Sequence, residues 1–455
     1  MKRTHEQIKA ELMKKAEEEI DRLLNWEEKA DKPTLTQFED QVLVTRRVLS
    51  EAMLEALMTS QENCQPAERV VCPQCGQPVE NKGAHTKQVE TRVGSLRLKR
   101  QYHYCPHCKA GFFPLDEQLQ LCEAHWSEGV ARLVTWLDGQ GTFREVAEVL
   151  DKVGHIHISS STTWREGQHW GAAFQQAEVR QAEQVHRLPA RDQIIPGEAP
   201  GRERMGAAMD GAMLYLLGEG WKEFKLGCIF NIVQQPTFDK ETLEWEDLGH
   251  AAQITYVAHL GGPDILGQKL WAEAYRRHWT QAWETQVLGD AAAWIWNLAE
   301  EHFYDSTQTV DWYHATEHLG EAAECLYGEE STSPKQRWLN EHKQLLFQGQ
   351  AAQLAHRLQD LASGQTGGAQ EALLREAGYF EHNQHRMNYM ELREEGWLLG
   401  SGGVESGAKQ FKDRFTGPGM RWSRPGAERL LPVRAAVMSH NFDDAWRAVY
   451  HSPNN

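Results

Sequence analysis

Apolar residues recur at helical spacing near the start of the chain, at Leu12, Ala16, Ile20, Leu23 and Leu24, and again at Val42, Val44, Val48 and Leu49 after Thr36-Gln37-Phe38. A period near 3.6 predicts helices through residues 1–60. Strand-like alternation follows at 91–104. Val130, Leu133, Val134 and Leu137 then mark a helix, Gly139-Gln140-Gly141-Thr142 a turn, and Phe143, Val146, Ala147 and Leu150 a second helix. Ser159-Ser160-Ser161-Thr162 suits the cap of a third, over 163–174. Three such helices fit a helix-turn-helix, whose last helix enters the major groove; the plainer alternative is a small helical connector.

Pro189, Pro196 and Pro200 make 187–202 a linker. Beyond it the pattern becomes α/β, with strands at 205–217, 224–233 and 253–260, a helix over 263–281, and short strands at 286–288 and 307–310, each leading into a helix. A three-stranded meander followed by βαβ units predicts a mixed sheet flanked by helices. Residues 334–390 are helical throughout, with a loop at 363–368, and form an insertion before a last acidic helix.

At 455 residues the chain has material for two to four domains, at roughly 100–200 residues each. Its 40% apolar and 25% charged residues are ordinary for a globular protein. No apolar run reaches the length of a membrane span, and the charged start after Met1 does not resemble a signal core, so a cytoplasmic address with no membrane partner is expected. The net charge of −17 argues against a nucleic-acid partner for the chain as a whole. Local charge says otherwise: 82–109 holds seven Lys/Arg against Glu90 alone, and 405–434 holds seven against three acids. Such patches suit DNA and also a merely solvated surface.

Cys72-Pro73-Gln74-Cys75 and Cys105-Pro106-His107-Cys108 are two C-P-x-C turns separated by 29 residues. Each turn can aim two thiolates at one tetrahedral Zn²⁺, and four thiolates leave no open position, which makes the expected zinc structural. Arg92, Arg97, Lys99 and Arg100 fall on the intervening hairpin, where they could lean on a phosphate backbone.

Three carboxylates stand out. Asp210 lies inside the apolar run 205–217, Asp290 ends Val287-Leu288-Gly289, and Glu405 follows Gly400-Ser401-Gly402-Gly403-Val404, with Lys409, Lys412 and Arg414 just beyond. Acids from separate elements meeting at one sheet edge would suit two Mg²⁺ ions in phosphodiester chemistry. Each also has a plainer reading, as a strand Asp bonded to backbone or as a charge at a helix N-terminus.

Met209-Asp210-Gly211, Trp221-Lys222-Glu223, Gly289-Asp290 before Trp294-Ile295-Trp296, Asp311-x-x-His314, Gly400-Ser401-Gly402-x-Val404-Glu405-Ser406 and Gly419-Met420-Arg421-Trp422-Ser423 together resemble the Kra-type bacterial insertion-sequence transposases, and more distantly the Mutator-like DDE transposases. The likeness covers nearly the whole chain, with the Glu405 block its most specific part. Ala291 departs from it, since a glycine is expected after the second aspartate.

The resemblance implies an α/β, ribonuclease-H-like mixed sheet with a helical insertion at about 328–398, in a catalytic domain over 203–455. Ahead of it come a helical N-terminus (1–63), a zinc-ribbon-like hairpin (64–125) and a helix-turn-helix (126–186). It further implies Asp210, Asp290 and Glu405 as ligands of two Mg²⁺ (or Mn²⁺) ions, with structural Zn²⁺ at the four cysteines. Asp311 and His314 would support the site, and Lys409, Lys412, Arg414, Arg421 and Arg424 would hold phosphates. His314 also suits a helix-start histidine bonded locally. The implied activity is DNA transposition: hydrolysis at terminal inverted repeats and joining of the freed 3′ hydroxyl to target DNA by a nucleoid-associated oligomer, at least a dimer. A structure-specific nuclease of the same fold and a domesticated, non-catalytic DNA-binding regulator are the alternatives.

Overall fold

The computed structural model describes residues 4–59, 70–121, 125–185, 203–238, 245–418 and 420–450. The expected linker at 187–202 lies outside these residues. The chain divides into two units between Gly167 and Gln168, inside one long helix.

In the first unit the Thr4 hydroxyl accepts from the Gln7 amide while the Gln7 side chain accepts from the Thr4 amide, a reciprocal cap that starts α1 (His5–Lys29). Helix α2 (Leu35–Thr59) packs on α1 through an edge contact of Trp26 with Phe38 at 5.5 Å and a 3.1 Å bond from Arg22 to Thr45. β1 (Glu80–Thr91) and β2 (Gly94–Cys105) form an antiparallel hairpin, and β3 (Ala110–Phe112) adds to β2. The first arm, Glu80–Thr91, is exposed along most of its length, so it shows no alternation of apolar and polar residues for the sequence to reveal. Leu96 and Leu98 on β2 and Leu115 on α3 (Pro114–Gln118) make a small core, closed by Leu54 and Met58 of α2. Ser127 caps α4 (Glu128–Asp138), and Thr142 with Glu145 caps α5 (Phe143–Lys152). Ser159 receives the Thr162 amide at 3.2 Å where α6 begins. That helix runs Ser160–Gln184, well past residue 174 where the sequence pattern ends.

The second unit is built on a five-stranded sheet in the order β6-β5-β4-β7-β8, comprising β4 (Arg204–Leu216), β5 (Gly220–Phe238), β6 (Trp245–His259), β7 (Thr285–Gly289) and β8 (Thr307–Val310). β4, β5 and β6 are an antiparallel meander, while β7 and β8 run parallel to β4. It is therefore an α/β unit with a mixed sheet. Between β6 and β7 lies α7 (Pro263–Arg276), and between β7 and β8 lies α8 (Ala293–His302). The helix expected over 263–281 stops at Arg276 because His278 takes a left-handed backbone, φ 62°, ahead of a single 3₁₀ turn at Trp279–Gln281.

After β8 come α9 (Trp312–Tyr327), then the helices α10 (Ser333–Phe347), α11 (Ala351–Ser363), α12 (Gly368–Asn383) and α13 (Tyr389–Glu394), then α14 (Gly402–Phe415), α15 (Arg424–Met438) and α16 (Phe442–Tyr450). Successive side chains of a strand face opposite ways. Met205, Ala207 and Met209 of β4 accordingly join Leu266, Leu270, Trp271, Ile295 and Phe303 from the α7 and α8 side in one core. On the other face Phe224 packs on Phe411 and Phe415 of α14, at 6.0 and 6.3 Å between ring centroids. Each of the buried Met, Leu, Ile and Phe side chains contributes about 1.5–3 kcal/mol by leaving water. Gly407 lets α14 come down onto β6, since a Cβ there would sit 2.4 Å from the Tyr256 ring. Among the described residues no helix is long and apolar enough to cross a membrane.

Candidate active site and cysteine cluster

Asp210 is the even-numbered neighbour of Met209 on β4, so its carboxylate leaves the sheet on the face that α14 covers. Met209 pairs with Gly289 across the parallel β4/β7 ladder, which sets Asp210 beside Asp290 just past the end of β7. Asp210 Oδ1 accepts from the Gly211 amide at 2.6 Å, and Asp290 Oδ1 accepts from the Ala292 amide at 2.9 Å. Burial pushes the Asp210 carboxyl up from its ordinary range and the Asp290 charge adds to this, while the Gly211 amide, His314 and Lys412 pull it down. Asp290, His314 and Lys412 thus all act on one partly buried carboxylate.

Glu405 arrives from far along the chain, and a set of backbone clamps holds it. Gln286, fully buried on β7, donates to the Leu398 carbonyl at 2.8 Å and accepts from the Leu398 amide at 3.2 Å. The Trp312 amide donates to the Leu399 carbonyl at 2.8 Å. Asp311, also fully buried, receives the Tyr313 amide at 2.6 Å and the His314 amide at 3.1 Å on one oxygen, capping α9, and the Ser401 amide on the other. Residues 398–401 are thereby pinned between Gln286 near the start of β7 and Asp311 just past the end of β8, and α14 starts from that point. Glu405 in its first turn lies 3.8 Å from His314 Nε2 and accepts from the Ser401 hydroxyl at 3.3 Å. Gly400 tolerates the crowding, because a Cβ there would stand 3.2 Å from the Tyr313 ring.

Asp210, Asp290, His314 and Glu405 thus gather at one end of the sheet, with Asp311 beneath them as a buried support. The three outer acids do not bring one oxygen each within 4.8 Å of one another. Of the basic residues singled out in the sequence, Lys409, Lys412 and Arg421 are exposed. Arg414 departs from the expected phosphate contact: it is only 3% exposed, with its guanidinium 5.2 Å from the centre of the Trp422 ring. The helical period turns position 414 toward the sheet, so it packs among aromatic rings. Arg424 is held by both oxygens of Glu219, at 3.0 and 2.6 Å.

Gln286 and Tyr379 went unnoticed in the sequence. Neither carries a motif, and a buried Gln in a short strand has no periodic signature. The Tyr379 hydroxyl is buried without a hydrogen-bond partner, and burial, then Asp290 and Asp311, push its ionisation above the ordinary tyrosine range.

The four cysteines of the first unit come together as the spacing predicts, with Cys72 and Cys108 sulfurs 3.9 Å apart and Cys75 and Cys105 sulfurs 3.7 Å apart. All four sulfurs lie within 4.8 Å of one another. Backbone amides, chiefly that of Cys75, draw the Cys72 thiol down to about 7, whereas the neighbouring Cys75 sulfur drives Cys108 up to about 12. Four such groups repel as thiolates and would ionise together around a cation, so the donor set fits a tetrahedral Zn²⁺.

No protein-family model and no curated protein matches the chain. Among solved structures it is similar to the Drosophila P element transposase strand transfer complex, with 11% identity, 71% of this chain and 81% of that chain covered, and a TM-score of 0.24. At that identity and score the likeness carries no argument about activity.

Proposed function

We infer that the protein is a DNA transposase that cuts and joins phosphodiester bonds at the acidic end of the mixed sheet. The observation that carries this reading is the meeting of Asp210, Asp290 and Glu405 with His314 at that end, although the three acids stand on β4, after β7 and on α14. An antiparallel meander continued by two parallel strands supports a ribonuclease-H-like fold for the second unit, and the helices α10 to α13 supply its insertion. The resemblance to Kra-type insertion-sequence transposases in the same residues supports the finer assignment.

Asp210, Asp290 and Glu405 would hold two Mg²⁺ ions. Two ions about 3.5–4 Å apart would not require all three carboxylates to reach a single ion. When bound, the ions supply an activated water or 3′ hydroxyl and stabilise the departing oxygen. The chain's own residues do the positioning: Asp311 and Gln286 fix 398–401, Ser401 orients the Glu405 carboxylate, and exposed Lys409, Lys412 and Arg421 offer charge to the DNA backbone. The four-cysteine hairpin and the helices α4 to α6 would bind the terminal inverted repeats, and joining two ends calls for at least a dimer. A cytoplasmic, nucleoid-associated address accords with this role.

The test is strand transfer on end-sequence oligonucleotides with Mg²⁺. Asp290→Ala should abolish both cutting and joining while leaving DNA binding intact. Retained joining by the folded variant refutes the assignment, and cutting without joining in the native protein makes it a nuclease.

A further inference from the structure

A second cluster of metal-ligating side chains, sharing no residue with the cysteines or the acidic end of the sheet, joins α9 to α12. His318 and Glu321 occupy one face of α9 at i, i+3, and Glu376 meets them from α12 of the helical insertion. One ligand atom from each lies within 4.8 Å of the other two. Glu376 is fully buried, its Oε2 2.6 Å from His318 Nδ1. Its other oxygen takes the Arg375 Nε at 2.9 Å, and the Arg375 Nη2 reaches Glu321 Oε2 at 3.2 Å. The Tyr379 ring stacks on the His318 imidazole, with centroids 3.6 Å apart and planes 25° apart, which fixes the orientation of the imidazole.

We propose that His318, Glu321 and Glu376 form a Zn²⁺ site that ties the helical insertion to α9, and that the Arg375 guanidinium is its exchangeable stand-in. As metal ligands, two carboxylates and a neutral imidazole carry a charge of −2, which a divalent ion cancels. A fully buried carboxylate such as Glu376 needs that compensation. One imidazole with two carboxylates is a donor set of the zinc class, completed by a water. Zinc bonds of about 2.0–2.1 Å imply ligand separations near 3.3 Å across a tetrahedron, so the His318 to Glu376 contact must open by less than about 1 Å. The side chains of His318, Glu321 and Arg375 are 33%, 55% and 66% exposed, which leaves a way in for the ion and a way out for the guanidinium. An exposed arginine pair of this kind holds weakly.

Zinc content and affinity of the full-length protein test this, independently of any activity. The native chain should hold two zinc ions, one at the cysteines and one here. His318→Ala and Glu321→Gln should each lose one, with affinity for the second ion falling at least about tenfold. Arg375→Ala should bind the second ion more tightly, because the competing cation is gone. Asp290→Ala should change nothing, which separates this site from the acidic end of the sheet, and excess Mg²⁺ should not displace the zinc. Glu321 is exposed, so its variant reports even if His318→Ala unfolds. A single zinc in the native chain, or Glu321→Gln and Arg375→Ala both leaving zinc affinity unchanged, overturns the proposal and leaves an ion-pair network.

Discussion

Asp311 is the residue on which the placement of Glu405 turns, and Asp311→Asn isolates how. The native carboxylate uses one oxygen to cap α9 through the Tyr313 and His314 amides and the other to hold the Ser401 amide. Asparagine keeps a carbonyl oxygen for the cap but turns an NH₂ toward Ser401 N–H, two donors facing each other. Ser401 is only 4% exposed, so water does not readily replace the lost acceptor. An orphaned buried donor costs about 1–3 kcal/mol. Asp311→Ala removes the cap as well, at about 1 kcal/mol more. Urea denaturation should show those losses in that order. Amide exchange at Ser401 should quicken by about 5- to 150-fold in the Asn variant, at 1.4 kcal/mol per tenfold. The Tyr313 amide should stay protected in the Asn variant and become exposed in the Ala variant. Under the transposase reading, Asp311→Asn should also slow strand transfer without weakening DNA binding, since Glu405 loses its anchor. An Asn variant as stable as the native protein, with Ser401 still protected, refutes the clamp.

The remaining predictions concern protons and zinc. Burial, then the charges of Lys269 and Arg424, hold the His259 imidazole down at about 4. The unfolded chain therefore takes up a proton near pH 6.5 that the folded chain refuses until about 4, and stability should fall as pH drops through that window. At 1.36 kcal/mol per unit the loss is roughly 3 kcal/mol at most, and denaturation midpoints of His259→Gln should lack that part of the pH dependence. At the cysteines, a strong chelator or Cys105→Ser should remove one zinc and lower the thermal stability of the hairpin. Unchanged melting of the hairpin after demonstrated zinc loss counts against a structural metal there.

What could be read along the chain is what local spacing encodes. The two C-P-x-C turns predict a four-sulfur cluster because each turn fixes its own pair of thiols, and the strands between them carry the turns to one place. The apolar run around Asp210 predicts a central strand, and the glycines before Glu405 predict a helix start. Asp210, Asp290 and Glu405 could be picked out as acids in unusual company. Their meeting depends on the register that sets Met209 beside Gly289, and on Gln286 and Asp311 gripping 398–401, and no periodicity carries either. The exposed, polar first arm of the hairpin had no alternation to show.

Side-chain fate was decided later still. Arg414 looks in sequence like one more cation in a basic run, yet the pitch of α14 turns it under Trp422. His318 and Glu376, 58 positions apart, become hydrogen-bonded partners only when α12 folds back on α9. Periodicity and capping act within a few residues and are written in the order of the amino acids. Charge compensation and burial act between surfaces that the chain brings together from a distance, and only the folded molecule selects them.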